Sequence, residues 1–215
     1  MRRSVLGLLL IGFVLLSLGL RLTAEDQPKI TPKPLDMSLP EYDSQGNLLR
    51  PAGFEKWTVV GTSIGLSYSD DKDRDPKNPG MFHNVYMQPQ AFDHFVRTGE
   101  FPEQTVFVVT NNPSQPTKGK DELNRKGFFA APSTGLEVAV KDSQRFEDVW
   151  AYYMFHDKAD AKNSDRTRDS EKAFPRADCH ECHLEHGQTD NVFTQFYSVL
   201  TSARERHLAE TGPEK

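Results

Sequence analysis

The chain has 215 residues, a formal charge of −5 and 36% apolar residues. That length suits one ordinary domain with tails. The acidic balance argues against the basic face of a nucleic-acid binder, so no nucleic-acid partner is expected. A single core is feasible at this apolar content, and it would gain from a large apolar ligand.

The chain opens MRRSVLGLLLIGFVLLSLGLRLTAEDQ, with Arg2 and Arg3 ahead of an apolar run from Val5 to Leu20 and a small residue at Ala24. Residues 1–24 therefore have the layout of a signal peptide. Left uncleaved, the run would serve as an N-terminal anchor, although it is shorter than the roughly 20 residues a spanning helix needs. Either way the remainder is expected outside the cytoplasm, in the periplasm, free or tethered. Removing residues 1–24 leaves 191 residues, and with Arg2, Arg3 and Arg21 gone the formal charge moves from −5 to −8.

Residues 25–41 are rich in proline and charge and are expected to be an extended linker. Runs of branched and aromatic residues bounded by turn formers then predict strands at 57–63, 82–87, 105–110, 127–132, 136–142 and 149–156. The last is apolar on both alternating faces, which predicts a central strand covered on both sides. PQAFDHFVRTG (89–99) spaces Phe92 and Phe95 as a short helix does and ends on Gly99. Segments 69–80, 111–126 and 157–172 read as polar or charged loops. Phe193, Phe196, Tyr197 and Leu200 recur at helical spacing, predicting a C-terminal helix over 191–210. Residues 211–215 are expected to be a disordered tail. No second domain is visible, so residues 42–210 are taken as the functional domain.

Near the C-terminus lies CHECH: Cys179, His180, Glu181, Cys182, His183, with the only two cysteines of the chain. A closed zinc site needs four ligands, and no second cysteine pair is present. A thioredoxin-like disulfide expects a preceding βαβ pattern and leaves His183 without a role. A Cys-x-x-Cys-His run is the attachment pattern of a c-type haem. Each thiol adds across one porphyrin vinyl group, two intervening residues let one turn of chain reach both, and the following histidine supplies the axial nitrogen. One covalently attached haem c per chain is expected, with Cys179 and Cys182 as thioethers and His183 as iron ligand. His180 and His186 are expected to be solvated or to sit behind the ligand.

YDSQGNLLRPAGFEKWTVVGT, FHNVYMQPQAF, RTGEFPEQTVFVV, GLEVAVKDSQRF, WAYYMF and CHECHLEHGQTDNVFTQFYSVL follow one another in order. Together they resemble the cytochrome P-460 family, which includes the cytochrome c′-beta branch, over about Tyr42 to Leu200. The resemblance implies an α+β fold, mainly antiparallel β sheet with a few helices, in a single domain, and a homodimer. It also implies a five-coordinate iron, open to a small gaseous or nitrogenous ligand such as nitric oxide or hydroxylamine. Met81, Met87, Met154, His83 and His156 are the candidates for a sixth ligand.

Two departures from the family pattern bear on function. Hydroxylamine-oxidising members carry a lysine, cross-linked to the porphyrin, at the end of the T-V-x-V strand. Here the matching position is Val109, with Lys118, Lys120 and Lys126 in or beside the following loop. Those members also place a carboxylate shortly before the haem motif, where this chain has Ala173 and Phe174, with Glu171 upstream as a weak catalytic candidate. An aromatic cover resembles the c′-beta branch, with Phe82, Phe107, Phe129 and Phe174 as candidates. The expectation is an exported mono-haem cytochrome with an open distal site handling small nitrogen species, nitric oxide favoured. The alternatives are a lysine-cross-linked hydroxylamine or nitric-oxide oxidase and a six-coordinate electron carrier, its electron-transfer partner not named by the sequence.

Overall fold

In strand β4 (Val106–Pro116), Val106 and Val108 turn to one side of a sheet and Phe107 and Val109 to the other, and both sides are covered. The computed structural model describes residues 39–66, 77–117, 126–157 and 169–212, all within one unit, Pro34–Lys215. Residues 1–24, most of the 25–41 linker, Lys118, Lys120 and the middle of the 157–172 loop lie outside the described residues.

The remaining elements, in chain order, are β1 (Leu48–Leu49), β2 (Thr58–Ile64), β3 (Met81–Met87), α1 (Pro89–Thr98), β5 (Phe128–Ala130), β6 (Gly135–Lys141), β7 (Trp150–His156), β8 (Ser170–Glu171), α2 (His180–His186) and α3 (Ser198–Thr211). The main sheet runs β2-β3-β4-β6-β7, with β5 on the outer part of β4, and every pairing is antiparallel. β1 and β8 form a separate two-stranded pair. The result is an α+β fold built on a mainly antiparallel sheet.

Directly paired residues share a face of an antiparallel sheet. One row crosses it as Val85, Val109, Glu137 and Met154, and the next as Met87, Phe107, Ala139 and Tyr152. Val85, Met87, Phe107 and Tyr152 of these rows belong to the cluster that also holds Phe95, Phe101, Trp150, Val192 and Leu200, with Val109, Ala139 and Cys179 packed against it. The opposite face packs Leu48, Val106, Val108, Leu136, Val138, Val140, Tyr153 and Phe155.

Helix α1 begins with proline in its first turn, where the missing N–H costs nothing. It ends on Gly99 at φ 80, whose N–H reaches the Phe95 carbonyl. Arg204 of α3 lies against this cap, its Nη1 donating to the Val96 and Arg97 carbonyls at 3.2 and 3.1 Å. A cation there complements the helix C-terminus, and this contact fixes α3 against α1.

Three expectations are corrected. β7 is buried on both faces, but it ends the strand order rather than lying at its centre. Its outer edge is covered instead by the chain before α2, where the Phe174 N–H donates to the Tyr152 carbonyl at 2.8 Å. Segment 111–116 is strand rather than loop: β4 runs on to Pro116, pairing with Met81 and Phe82 on one side and β5 on the other. The expected helix over 191–210 starts only at Ser198, after a turn at Asp190–Asn191 and a short 3-10 segment, Thr194–Phe196. Of its supposed apolar stripe, Leu200 is fully buried while Phe196 is 68% exposed.

Candidate functional site

Cys179 is the N-cap of α2, and Cys182 and His183 follow within its first turns. Positions three and four apart are neighbours on a helix, so the two sulfurs and the imidazole emerge from one side. The His183 N–H donates to the Cys179 carbonyl at 3.1 Å and the Gly187 N–H to the His183 carbonyl at 2.9 Å. The cysteines are free thiols, both half-buried. Burial, then the charges of Asp178 and Glu137, pushes the Cys179 thiol above its ordinary pKa. Among the described residues no three His, Cys, Asp or Glu side chains come together as a metal-ion site.

The His183 ring lies between Tyr152, with ring centroids 4.3 Å apart, and Phe193, at 4.4 Å. Its Nδ1 sits 2.9 Å from the Asn191 carbonyl oxygen. A carbonyl only accepts, so Nδ1 carries the hydrogen and Nε2 keeps its lone pair. Burial lowers the His183 pKa, against the opposing bond to Asn191. A neutral imidazole with a fixed tautomer and a free Nε2 is the form that binds a metal. Two neighbouring thiols, this imidazole and the largely apolar cluster that Cys179 packs against fit a haem.

Gly187 is required here by close approach: a Cβ would fall 2.6 Å from both the Asn191 carbonyl carbon and the His183 oxygen. His180 is buried rather than solvated. It lies 3.8 Å from Asp148, which is also paired with Arg176, while His186 is exposed. Burial lowers the His180 pKa.

The other expected residues divide between the faces. Val109 lies on the Cys179 side, between Val85 and Glu137 in register. Phe82 alternates with Val85 and so shares the opposite side with Tyr86. Glu171 is directly opposite Leu48, which packs into the second cluster, away from Cys179. Phe174 is 37% exposed and Phe129 49% exposed, whereas Phe107 is core. Met87 is fully buried, and His83 and His156 each carry a buried ring nitrogen without a hydrogen-bond partner.

Sequence reasoning missed Glu137. It reads as the polar position of an alternating strand, yet it lies in the row of Val109, and its charge bears on Cys179, His183 and Tyr197. Asn111 donates to it at 3.0 Å. The Asn111 Oδ1 and the Tyr152 hydroxyl are buried without partners, and burial holds the Tyr152 phenol far above its ordinary pKa.

An antiparallel sheet carrying a Cys-x-x-Cys-His helix, with the histidine held for a metal, defines a c-type haem protein unlike the all-helical cytochromes. The cytochrome P460 family model matches residues 51–194, and the chain belongs to that family. It is a haem c cytochrome. A comparison with the curated proteins finds no match. Among the described residues no helix is long and apolar enough to cross a membrane.

Proposed function

We propose that the protein is an exported, periplasmic cytochrome with one covalently attached haem, binding or redox-handling a small nitrogen species, with nitric oxide the favoured ligand. Cys179 and Cys182 hold the porphyrin edge, and His183 presents Nε2 to the iron. When bound, haem iron supplies the ligand-binding and one-electron chemistry. The chain contributes apolar side chains in Val85, Val109, Ala139 and Met154, with the Glu137 carboxylate among them, a mainly apolar surface for a diatomic ligand.

The observation that carries this reading is Val109. It occupies the position that resembles the cross-linking lysine of hydroxylamine-oxidising relatives, and a valine has no amine to make the link. Lys126 is a poor substitute. It precedes Phe128, which pairs with Pro116, seven residues along β4 from Val109, or roughly 24 Å of strand.

The test is the absorbance spectrum of ferrous protein matured in a host that attaches c-type haem, before and after nitric oxide. An ordinary high-spin spectrum that changes on adding the gas is expected. A strongly red-shifted Soret band would mean a cross-linked macrocycle and the oxidase. An unresponsive, six-coordinate spectrum would mean an electron carrier, with His83 the first ligand to mutate. In Cys179→Ser/Cys182→Ser the haem should become extractable under denaturing conditions.

Glu137 favours a second reading, a hydroxylamine oxidase without the cross-link. A carboxylate on the Cys179 side would accept protons during oxidation. Glu137→Gln would then abolish turnover while leaving nitric oxide binding intact.

A homodimer is also proposed. β2 ends the strand order with Val59 and Ile64 each 41% exposed, and a terminal strand with exposed apolar side chains is a place where a second copy could pair. Sedimentation of the full chain at two concentrations tests it.

A further inference from the structure

Three separated stretches of the sequence meet at one carboxylate. Lys141 closes β6 and Trp150 opens β7, and the two are direct cross-strand partners on the Cys179 face. Lys141 Nζ donates to Asp190 Oδ2 at 2.7 Å and to the Phe101 carbonyl at 2.7 Å. Trp150 Nε1 donates to Asp190 Oδ1 at 3.3 Å. Each oxygen of Asp190 is thus taken by a different strand. The Lys141 side chain is only 15% exposed, so the pair is less screened than a surface one.

Asp190 is half of a two-residue turn. Thr189 and Val192 bridge as antiparallel partners, and Asp190 and Asn191 between them have φ 50 and 60. Two consecutive left-handed residues are the mark of a type I′ turn, tolerated by Asp and Asn far better than by most side chains. The carbonyl of this turn's second residue, Asn191, is the one that accepts from His183 Nδ1. Gly187 lets the turn approach α2 this closely.

We propose that Lys141, Trp150 and Asp190 are positioning residues for the axial imidazole: they stake the Asp190–Asn191 turn to the sheet so that the Asn191 carbonyl is held on His183 Nδ1. None of the three touches the imidazole nitrogen itself; they act through the turn. This rests on His183 being the iron ligand. A carbonyl held firmly on Nδ1 keeps the ring in one orientation and makes Nε2 a stronger donor. A stronger donor stabilises ferric over ferrous iron and lowers the reduction potential.

The experiment uses the haem-loaded full chain and reads two quantities, the reduction potential and the iron–histidine stretching band of the ferrous protein. Lys141→Met removes the ammonium and keeps the stem. Trp150→Phe removes the indole donor and keeps the aromatic bulk. Both are expected to lower the band frequency. Trp150→Phe, which changes no charge, should also raise the potential, favouring ferrous iron by about tenfold, equivalent to ~59 mV for one electron. Lys141→Met leaves the Asp190 carboxylate unpaired, which itself favours ferric iron, so that variant is read by the band. Lys141→Arg should keep wild-type values. A lowered melting temperature with both quantities unchanged would mean that the contacts only hold the loop, and would overturn the proposal. Should Lys141→Met fail to load haem, Trp150→Phe alone decides by the same two readings. A band that survives His183→Ala would instead overturn the ligand assignment on which the proposal stands, and in a six-coordinate wild type, which has no such band, the Trp150→Phe potential alone decides.

Discussion

β4 serves two faces of one sheet, and the faces are finished differently. On one, Val106 and Val108 meet Val138, Val140, Leu136 and Phe155, all at 2% exposure or less. On the other, Phe107 is also buried, but the next two positions are half-buried Val109 and buried Asn111, whose Oδ1 has no partner. A buried polar atom left without a bond costs about 1–3 kcal/mol. The first face is a core closed by side chains alone. The second is a core at one end and, at the other, a surface whose polar atoms still need partners. Strand alternation makes this division cheap, since one backbone presents a scaffold and a pocket with no change of fold.

The sharpest way to break the comparison is to open the closed face. Phe155 is fully buried, and Phe155→Ala should cost about 3–5 kcal/mol by lost transfer energy and cavity formation. Denaturant melts should register the loss while nitric oxide binding to the folded fraction stays unchanged. Altered ligand binding would mean that the two faces are mechanically coupled and the division is false.

Gly187→Ala comes next, on the other face. Its Cβ would meet backbone atoms, which give way less easily than a side chain tip. The expected cost is about 1–3 kcal/mol, as for other overpacked sites, and here the haem spectrum should change with it. A melting shift without a spectral change would separate the turn from the haem pocket.

Val109→Lys is expected to leave stability within about 1 kcal/mol, because the site is half-buried at the edge of the cluster and a lysine stem can cover apolar surface. Its effect is chemical: the amine is returned to the position that resembles the family's cross-linking lysine. A red-shifted ferrous Soret band in the variant would locate the porphyrin edge at Val109. An unchanged band would mean that the edge lies elsewhere on this face.

Much of this division was legible in the sequence, and what was not has physical causes. The strands announced themselves by alternation, and CHECH by the spacing that thiol addition needs. The outer half of β4, NNPSQP, did not. Its pairing is made by backbone bonds, which leave no apolar pattern to read. β7 was misplaced to the centre because two-sided burial reports covered faces and says nothing of neighbours along the sheet. Glu137 looked like a solvent-facing residue, since alternation tells which residues share a face but not what that face meets. The Asp190–Asn191 turn was missed because Asn191 reads as the start of the 191–210 helix, although two residues tolerant of left-handed backbone stood side by side as its signal.

The smallest expected effect lies where the closed face is sealed. Asp43 accepts from the Gln45 and Asn47 N–H groups through Oδ1, and from the Asn47 side chain and the Ser170 hydroxyl through Oδ2. It thereby ties the turn before β1 to the start of β8, 127 positions along the chain. The bonds from Asn47 hold its carboxyl down at about 2. A carboxylate whose folded pKa is depressed contributes stability that is full above its unfolded value of about 3.9 and is lost as pH falls through the folded one. Asp43→Asn should therefore be slightly less stable than the wild type at neutral pH, and the gap should close between pH ~4 and ~2. Acid melts followed by tyrosine fluorescence and by haem absorbance would read the two faces separately. If the division holds, the variant shifts the first signal and not the second, since Ser170 and Leu48 lie on the side away from Cys179. A parallel shift of both would mean that β8 transmits strain through Phe174 to α2, and the closed face would then be part of the site.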